Sequence, residues 1–213
     1  MQSINTSSFK IGAVLTLVVG ISVLACSFII GKQELFLLLN TDLGKAADYF
    51  FIFATWMGDG AIWVPVLGIV LLLKRKDLLP LLISSFCLTT ILTQVCKYVI
   101  VPHELRPIRA IADTSLIHTV AGVELHEVSS FPSGHTATAF TFYLLFCLIL
   151  PRKAWIAIGL CYALCVAYSR VYLAQHFPVD LGAGMIVAFL SVSGSILVQQ
   201  WWTARKKKQA HLL

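Results

Sequence analysis

Three short stretches gather most of the reactive side chains of an otherwise apolar chain. They are Lys97 with Arg106-Pro107 nine residues later, Pro132-Ser133-Gly134-His135, and Ser169-Arg170 followed by His176 and Asp180. Lys97, Arg106 and Arg170 are three cations, and like charges brought into one partly dehydrated cleft are unfavourable unless an anion neutralises them. Phosphate is the natural guest, because arginine offers planar bidentate donors and lysine a mobile point charge. Ser133-Gly134 opens an apolar run that reads as a helix, so its backbone N–H groups and the positive end of the helix dipole face the same anion. The competing reading is that Asp180, Asp59 and Glu104 neutralise the cations as structural ion pairs.

The histidines weigh toward catalysis. Pro178 suits the first turn of a helix, which puts His176 just before that helix and Asp180 inside it. From there the carboxylate reaches back to one imidazole nitrogen, fixes the tautomer and leaves the other nitrogen facing the phosphate. That arrangement is an activated nucleophile with an orienting acid. His135, on a different helix, is placed to protonate the departing oxygen.

The elements that must hold these residues are membrane helices. The 213-residue chain is 58% hydrophobic and only 12% charged, against roughly 25% charged for ordinary soluble domains. Ile11 to Gly31 carries no charge and is long enough to cross about 30 Å of hydrocarbon as a helix. A soluble fold is thereby excluded. The expected fold is an all-α integral membrane bundle of six transmembrane helices, one domain over 1–213. Its spans are Ile11 to Gly31, a second within Tyr49 to Leu73, Leu78 to Cys96, Ser133 to Leu150, Ala154 to Tyr168 and Val179 to Trp202. The faint lipoprotein-like Val23-Leu24-Ala25-Cys26 lies inside the first span, which is read as uncleaved. The six cysteines all lie in apolar runs and read as small buried hydrophobes.

Ten Lys and Arg residues fall on the side of the amino terminus and six on the other, which predicts both termini in the cytoplasm and all three motifs on the periplasmic face of the inner membrane. The positive-inside pattern accounts for the net charge of +6, so no nucleic-acid partner is expected. The basic tail, 203–213, reads as a topology anchor behind Trp201 and Trp202. Gln33 to Asp48 is expected to form an interfacial helix. The loop from Lys97 to Phe131 is long enough to need a purpose. Its His103, Glu104, Asp113, His118, Glu124, His126 and Glu127 have no regular ligand spacing, so a lid over the cleft is favoured over a metal site. Gly58-Asp59-Gly60 puts a charge inside an apolar segment. It reads either as a supporting part of the site or as a helix break tied to a loop cation.

Together these motifs resemble the type 2 phosphatidic acid phosphatase superfamily, shared with vanadium haloperoxidases. Its signature is Lys followed by Arg-Pro, then Pro-Ser-Gly-His, then Ser-Arg, five residues, His, three residues, Asp. The second motif is intact as Pro132 to His135 and the third as Ser169 to Asp180. In the first, eight residues (Tyr98 to Leu105) stand where the family has six. The resemblance runs from about Asn40 to Ala188. It implies that His176 becomes phosphorylated, that Asp180 orients it, and that His135 serves first as acid and then activates water. Lys97, Arg106 and Arg170 would hold phosphate oxygens with help from Ser133 and Gly134, with neither metal nor cofactor; apart from the resemblance, Asp59 and Ser169 are read as supporting the site from behind. The six-span form is similar to bacterial lipid phosphatases, and the hydropathy argues against the soluble haloperoxidase branch. The implied substrate is a membrane lipid phosphate or diphosphate: phosphatidic acid, phosphatidylglycerol phosphate, polyprenyl diphosphate and lipid A all fit. The alternatives are a lipid phosphotransferase using the same site and a non-catalytic lipid-binding or transport protein.

Overall fold

The computed structural model describes residues 5–210, which are helical with no strand among them. In chain order the helices are α1 (Thr6–Ile30), α2 (Lys32–Leu39), α3 (Lys45–Trp56), α4 (Trp63–Leu72), α5 (Leu79–Val95), α6 (Pro107–Ala110), α7 (Gly134–Ile149), α8 (Ala154–Tyr172) and α9 (Pro178–Ala210). Four helical stretches are individually long and apolar enough to cross a bilayer: α1, Lys76–Ile100 around α5, α8, and α9 as far as Gln209. The expected second span is a bent pair, in which Lys45–Trp56 and Gly60–Leu72 meet at 55°. The remaining apolar helix, α7, has 16 residues.

That short helix is the centre of the bundle. It packs against α1, α5, α8 and α9. Phe140, Tyr143, Leu144 and Leu148 on it are fully buried, as are Leu81 of α5 and Ala188 of α9. A helix apolar on every side belongs in such a place. By contrast, α1 leaves Val14, Val18, Ile21, Phe28 and Ile29 exposed, an apolar outer surface suited to lipid. The start of α7 lies close against α9. A Cβ on Gly184 would lie 2.7 Å from the Ser133 carbonyl oxygen, so only glycine lets the two backbones meet there. Through that contact the Ser133 N–H donates to the Asp180 carbonyl at 3.0 Å, joining the second motif to the third.

The far end of the bundle is pinned separately. The Asn5 N–H donates to the Leu148 carbonyl at 2.9 Å. The buried Gln199 accepts from the Leu81 N–H at 3.0 Å and donates to the Asp77 carbonyl at 2.9 Å. In the tail, Arg205 lies over the Trp201 ring and Lys206 over the Trp202 ring, at 4.3 and 4.1 Å from the centroids.

Two sequence expectations need correction, and the break expected at Gly58-Asp59-Gly60 is present. The interfacial helix expected over 33–48 ends at Leu39, and Asn40–Gly44 forms a corner before α3. The buried Asn40 side chain there accepts from the His118 N–H at 2.8 Å and donates toward the carbonyls of His118, Val171 and Tyr172. An asparagine so occupied, followed by Gly44 at φ +85°, cannot continue a helix. The fifth span runs to Tyr172, four residues beyond the expected end, which puts Ser169 and Arg170 inside its last turns. The second span breaks at Gly58-Asp59-Gly60, where Asp59 Oδ1 caps a single turn (Gly60–Ile62) by accepting the Ala61 N–H at 2.7 Å.

Candidate active site

The three motifs converge at the end of the bundle opposite the Gln199 contact. His176 sits in the short link Leu173–Phe177 between α8 and α9, and Asp180 lies in the first turn of α9. Their exposures are 2% and 1%. His176 Nδ1 is 3.3 Å from Asp180 Oδ2. The same oxygen accepts the Phe177 N–H at 3.0 Å and the Ser130 hydroxyl, whose Oγ is 3.4 Å from His176 Nδ1. The carboxylate is thus held from three sides, and with the imidazole proton on Nδ1 the Nε2 lone pair is the free one. Burial first, and then the nearby Arg106, Arg170, Lys97 and His135, push the His176 imidazole well below its ordinary pKa. It is therefore neutral at neutral pH, the form a nucleophile requires.

The cations come from three elements. Lys97 lies in the widened turn Cys96–Ile100 that extends α5, and its Nζ donates to the Ser129 carbonyl. Arg106 donates to the neighbouring Val128 carbonyl at 3.0 Å, and to the backbone and side-chain oxygens of Gln175, both at 3.1 Å. Two adjacent carbonyls of one strand of loop therefore receive the first motif's two cations. The longer interval between Lys97 and Arg106 is taken up by the widened turn and by the bend that follows, where His103 has φ +63°. Arg170 of α8 donates to the Thr55 hydroxyl, and its Nε is buried with no hydrogen-bond partner.

None of the three cations has a carboxylate within ion-pair distance among the described residues. Glu104 pairs with Lys32 at 2.7 Å, Asp180 with His176, and Asp59 Oδ2 stands 3.7 Å from His135 Nε2. The structural-pair alternative is overturned on these distances, and Asp59 is tied to His135 rather than to a loop cation. Arg106 and Arg170 are nonetheless 9% and 7% exposed, so two permanent charges are held out of water and their neutral contacts do not balance them.

The second motif opens α7. The Ser133 hydroxyl caps α7, accepting from the Thr136 N–H at 3.3 Å and the Thr136 hydroxyl at 3.0 Å, and its own N–H is spent on Asp180. Gly134 and His135 follow at the first two helical positions, where backbone N–H groups have no partner within the helix. Beside them is a cavity of about 340 Å³ whose lining includes Phe86, Thr89 and Thr93 of α5, Gly60 and His135. Ser169 makes no link to the site: its hydroxyl returns to the Val166 carbonyl of its own helix at 2.6 Å.

Ser130, Gln175 and Thr55 are site residues that the sequence reading missed. Ser130 stands three residues before the capping Ser133 and Gln175 stands next to His176, the only hints the sequence offers. The long loop is fastened down rather than free. Besides the cation contacts, Gln33 holds the Ala110 carbonyl at 3.2 Å and Gln175 the Glu124 carbonyl at 2.9 Å. Of its titratable residues, His118 alone joins a cluster with metal-ligand spacing among the described residues, with Asp42 at the corner before α3 and Asp48 in the first turn of α3. There Asp48 is occupied by the Tyr172 hydroxyl at 2.7 Å.

Comparison with known proteins agrees with this architecture. The model of the PAP2 superfamily matches residues 78–204. An undecaprenyl-diphosphatase of Sulfolobus acidocaldarius is 32% identical over 164 residues, 75% of this chain and 76% of that protein. A lipid A 4'-phosphatase of Bacteroides thetaiotaomicron is 31% identical over 165 residues, 72% of this chain and 70% of that one. The crystal structure of Aquifex aeolicus LpxE superposes with a TM-score of 0.65 at 27% identity, covering 76% of this chain and 93% of that one.

Proposed function

The chain belongs to the PAP2 superfamily, and from that membership and its buried, carboxylate-free cations we propose that it is a membrane lipid phosphatase acting through a phosphohistidine. The observation that carries this reading is the Arg170 guanidinium, buried with an unpartnered Nε in the same layer as Lys97, Arg106 and a neutral His176. A buried charged donor without an acceptor is costly, and a phosphate oxygen relieves it. The substrate is a terminal phosphate on a lipid phosphate or diphosphate. Its lipid part lies toward the cavity that Phe86 and the threonines of α5 line beside His135.

In the first half of the cycle His176 Nε2 attacks phosphorus, the bond from phosphorus to the lipid oxygen breaks, and His135 gives that oxygen its proton. Lys97, Arg106 and Arg170 hold the three equatorial oxygens as charge redistributes, and the N–H groups of Gly134 and His135 add two donors. In the second half His135 takes a proton from water, the water oxygen attacks phosphorus, and the N–P bond breaks. Inorganic phosphate and neutral His176 result. Asp180 holds the imidazole throughout.

Fixed cations supply the charge that a metal would otherwise bring, so hydrolysis proceeds without one. The protein in detergent, given polyprenyl diphosphate, lipid A or phosphatidic acid in excess EDTA, is expected to release inorganic phosphate at the rate seen without chelator. Loss of activity on chelation, restored by one divalent ion, overturns metal independence. Formation of a phosphorylated acceptor lipid without free phosphate assigns a phosphotransferase instead, and neither product assigns a binding protein.

The charge distribution supports a site on the outer face of the cytoplasmic membrane. Asp113, on the exposed tip of the loop, is the position to mark. With the native cysteines replaced, Asp113→Cys is expected to react with a membrane-impermeant maleimide in intact cells. Reaction only after the membrane is broken reverses the topology.

A further inference from the structure

We infer that Asp59 is the positioning residue of His135, holding the imidazolium in place and retaining its charge for proton transfer; this rests on the phosphatase reading above. Asp59 lies in the break between α3 and α4, and its two carboxylate oxygens have separate tasks. Oδ1 accepts the Ala61 N–H at 2.7 Å and caps the turn, while Oδ2 lies 3.7 Å from His135 Nε2. That is an ion-pair distance rather than a hydrogen bond, so the link works through charge and orientation.

The break itself is docked on the site at several points. Tyr162 of α8 donates its hydroxyl to the Met57 carbonyl at 2.6 Å, and Thr55 accepts from Arg170. Gly58 is the point of closest approach: a Cβ there would run into the Val166 side chain and stand 3.1 Å from the His135 carbonyl oxygen. A helix broken merely by composition would not need a glycine against α7 and α8. The 55° bend therefore delivers a carboxylate to the one histidine of the site that Asp180 does not serve.

The electrostatic surroundings give that carboxylate its purpose. His135 is faced by Arg170 from α8, Arg106 and His126 from the loop, Lys97 from the extension of α5, and His176 from the link before α9. Every one of these is cationic or neutral, and Asp59 is the carboxylate within ion-pair distance of it among the described residues. A general acid must hold a proton in order to give it away, and a ring of cations works against that. With the Asp59 charge opposite Nε2, the imidazolium is oriented with that edge toward Asp59. The Nδ1 proton goes to the departing oxygen, and Nδ1, then vacant, takes a proton from the attacking water. The ring returns to its starting state after both halves.

Asp59→Asn tests the idea, because asparagine retains the cap and the shape but drops the charge. The expected result is a roughly 10-fold to 100-fold fall in kcat, part of the 10²–10⁴ that general acid catalysis supplies, with KM little changed. The basic limb of the pH–rate profile moves to lower pH, since an imidazolium without its counter-charge loses its proton more readily. In a His135→Ala background the same change has no further effect. Asp59→Glu, which keeps the charge, restores the position of the limb. Asp59→Ser, a second capping residue, repeats the experiment should the asparagine variant fold poorly. An unmoved basic limb, or an equal loss with and without His135, overturns the assignment while leaving the phosphatase reading intact. Failure of that broader reading is seen separately, as a wild-type protein that releases no phosphate from any lipid.

Discussion

His176→Ala abolishes turnover and leaves no covalent phosphate on the protein. The residue supplies the attacking nitrogen, and no neighbour can stand in for it: Asp180 is committed to Ser130 and Phe177, and His135 faces Asp59. Removal of a nucleophile from a preorganised site reduces kcat by on the order of 10⁴–10⁶. Quenching wild-type reactions at alkaline pH and probing for acid-labile phosphate measures the intermediate directly; normal turnover by the alanine variant removes His176 from the nucleophile's role. A pH dependence follows from the same environment. The folded His176 is held below its ordinary pKa, chiefly by burial, so the acid limb of kcat/KM lies below about pH 6.5. The linked stability has the same sign. The unfolded chain takes up this proton near pH 6.5 while the folded protein resists it, so the group's contribution is present above that pH and is lost as pH falls toward the folded value.

His135→Ala slows both halves of the cycle, by 10² to 10⁴ on a lipid monophosphate as is typical for general acid-base groups. The loss shrinks on a diphosphate, whose leaving phosphate needs less protonation than an alcohol does. Rapid-quench measurement separates the steps. The expected pattern is slow formation of the phosphoenzyme and slow decay, with decay impaired to the same extent for both substrates because water is the nucleophile in each. An undiminished penalty on the diphosphate assigns His135 to phosphate binding rather than to the leaving group.

The sequence made the chemistry more legible than its supports. His135, Arg170, His176 and Asp180 stand out because a charged or titratable side chain at the end of an apolar run has few bland explanations. Their convergence followed from topology, since alternate helix ends share one side. What could not be read were contacts made by ordinary residues after folding. Ser130 acts because the start of α7 abuts Gly184, and Gln175 because Arg106 arrives beside it. Neither has a pattern of its own. Ser133 and Ser169 stand in the motifs, and their hydroxyls also serve local helix geometry, one accepting from Thr136 and the other donating to the Val166 carbonyl. The break at Gly58-Asp59-Gly60 was visible as an interruption, but its partner was not, because the bend angle decides whether Asp59 meets a loop or α7.

The shortness of α7 sets where in the bilayer the reaction takes place. Sixteen residues make about 24 Å of helix, whereas the neighbouring Lys76–Ile100 stretch has 25 residues and is near 37 Å. The Leu148 end is tied to Asn5, so His135 opens a helix about 13 Å shorter than its neighbour. A lipid phosphate that meets the histidines from between the helices keeps its chains in hydrocarbon. Lifting those chains into water would cost about 0.8 kcal/mol for each methylene exposed, and a polyprenyl tail has dozens of carbons. An approach of that kind would leave selection to the headgroup rather than to the length of the anchor.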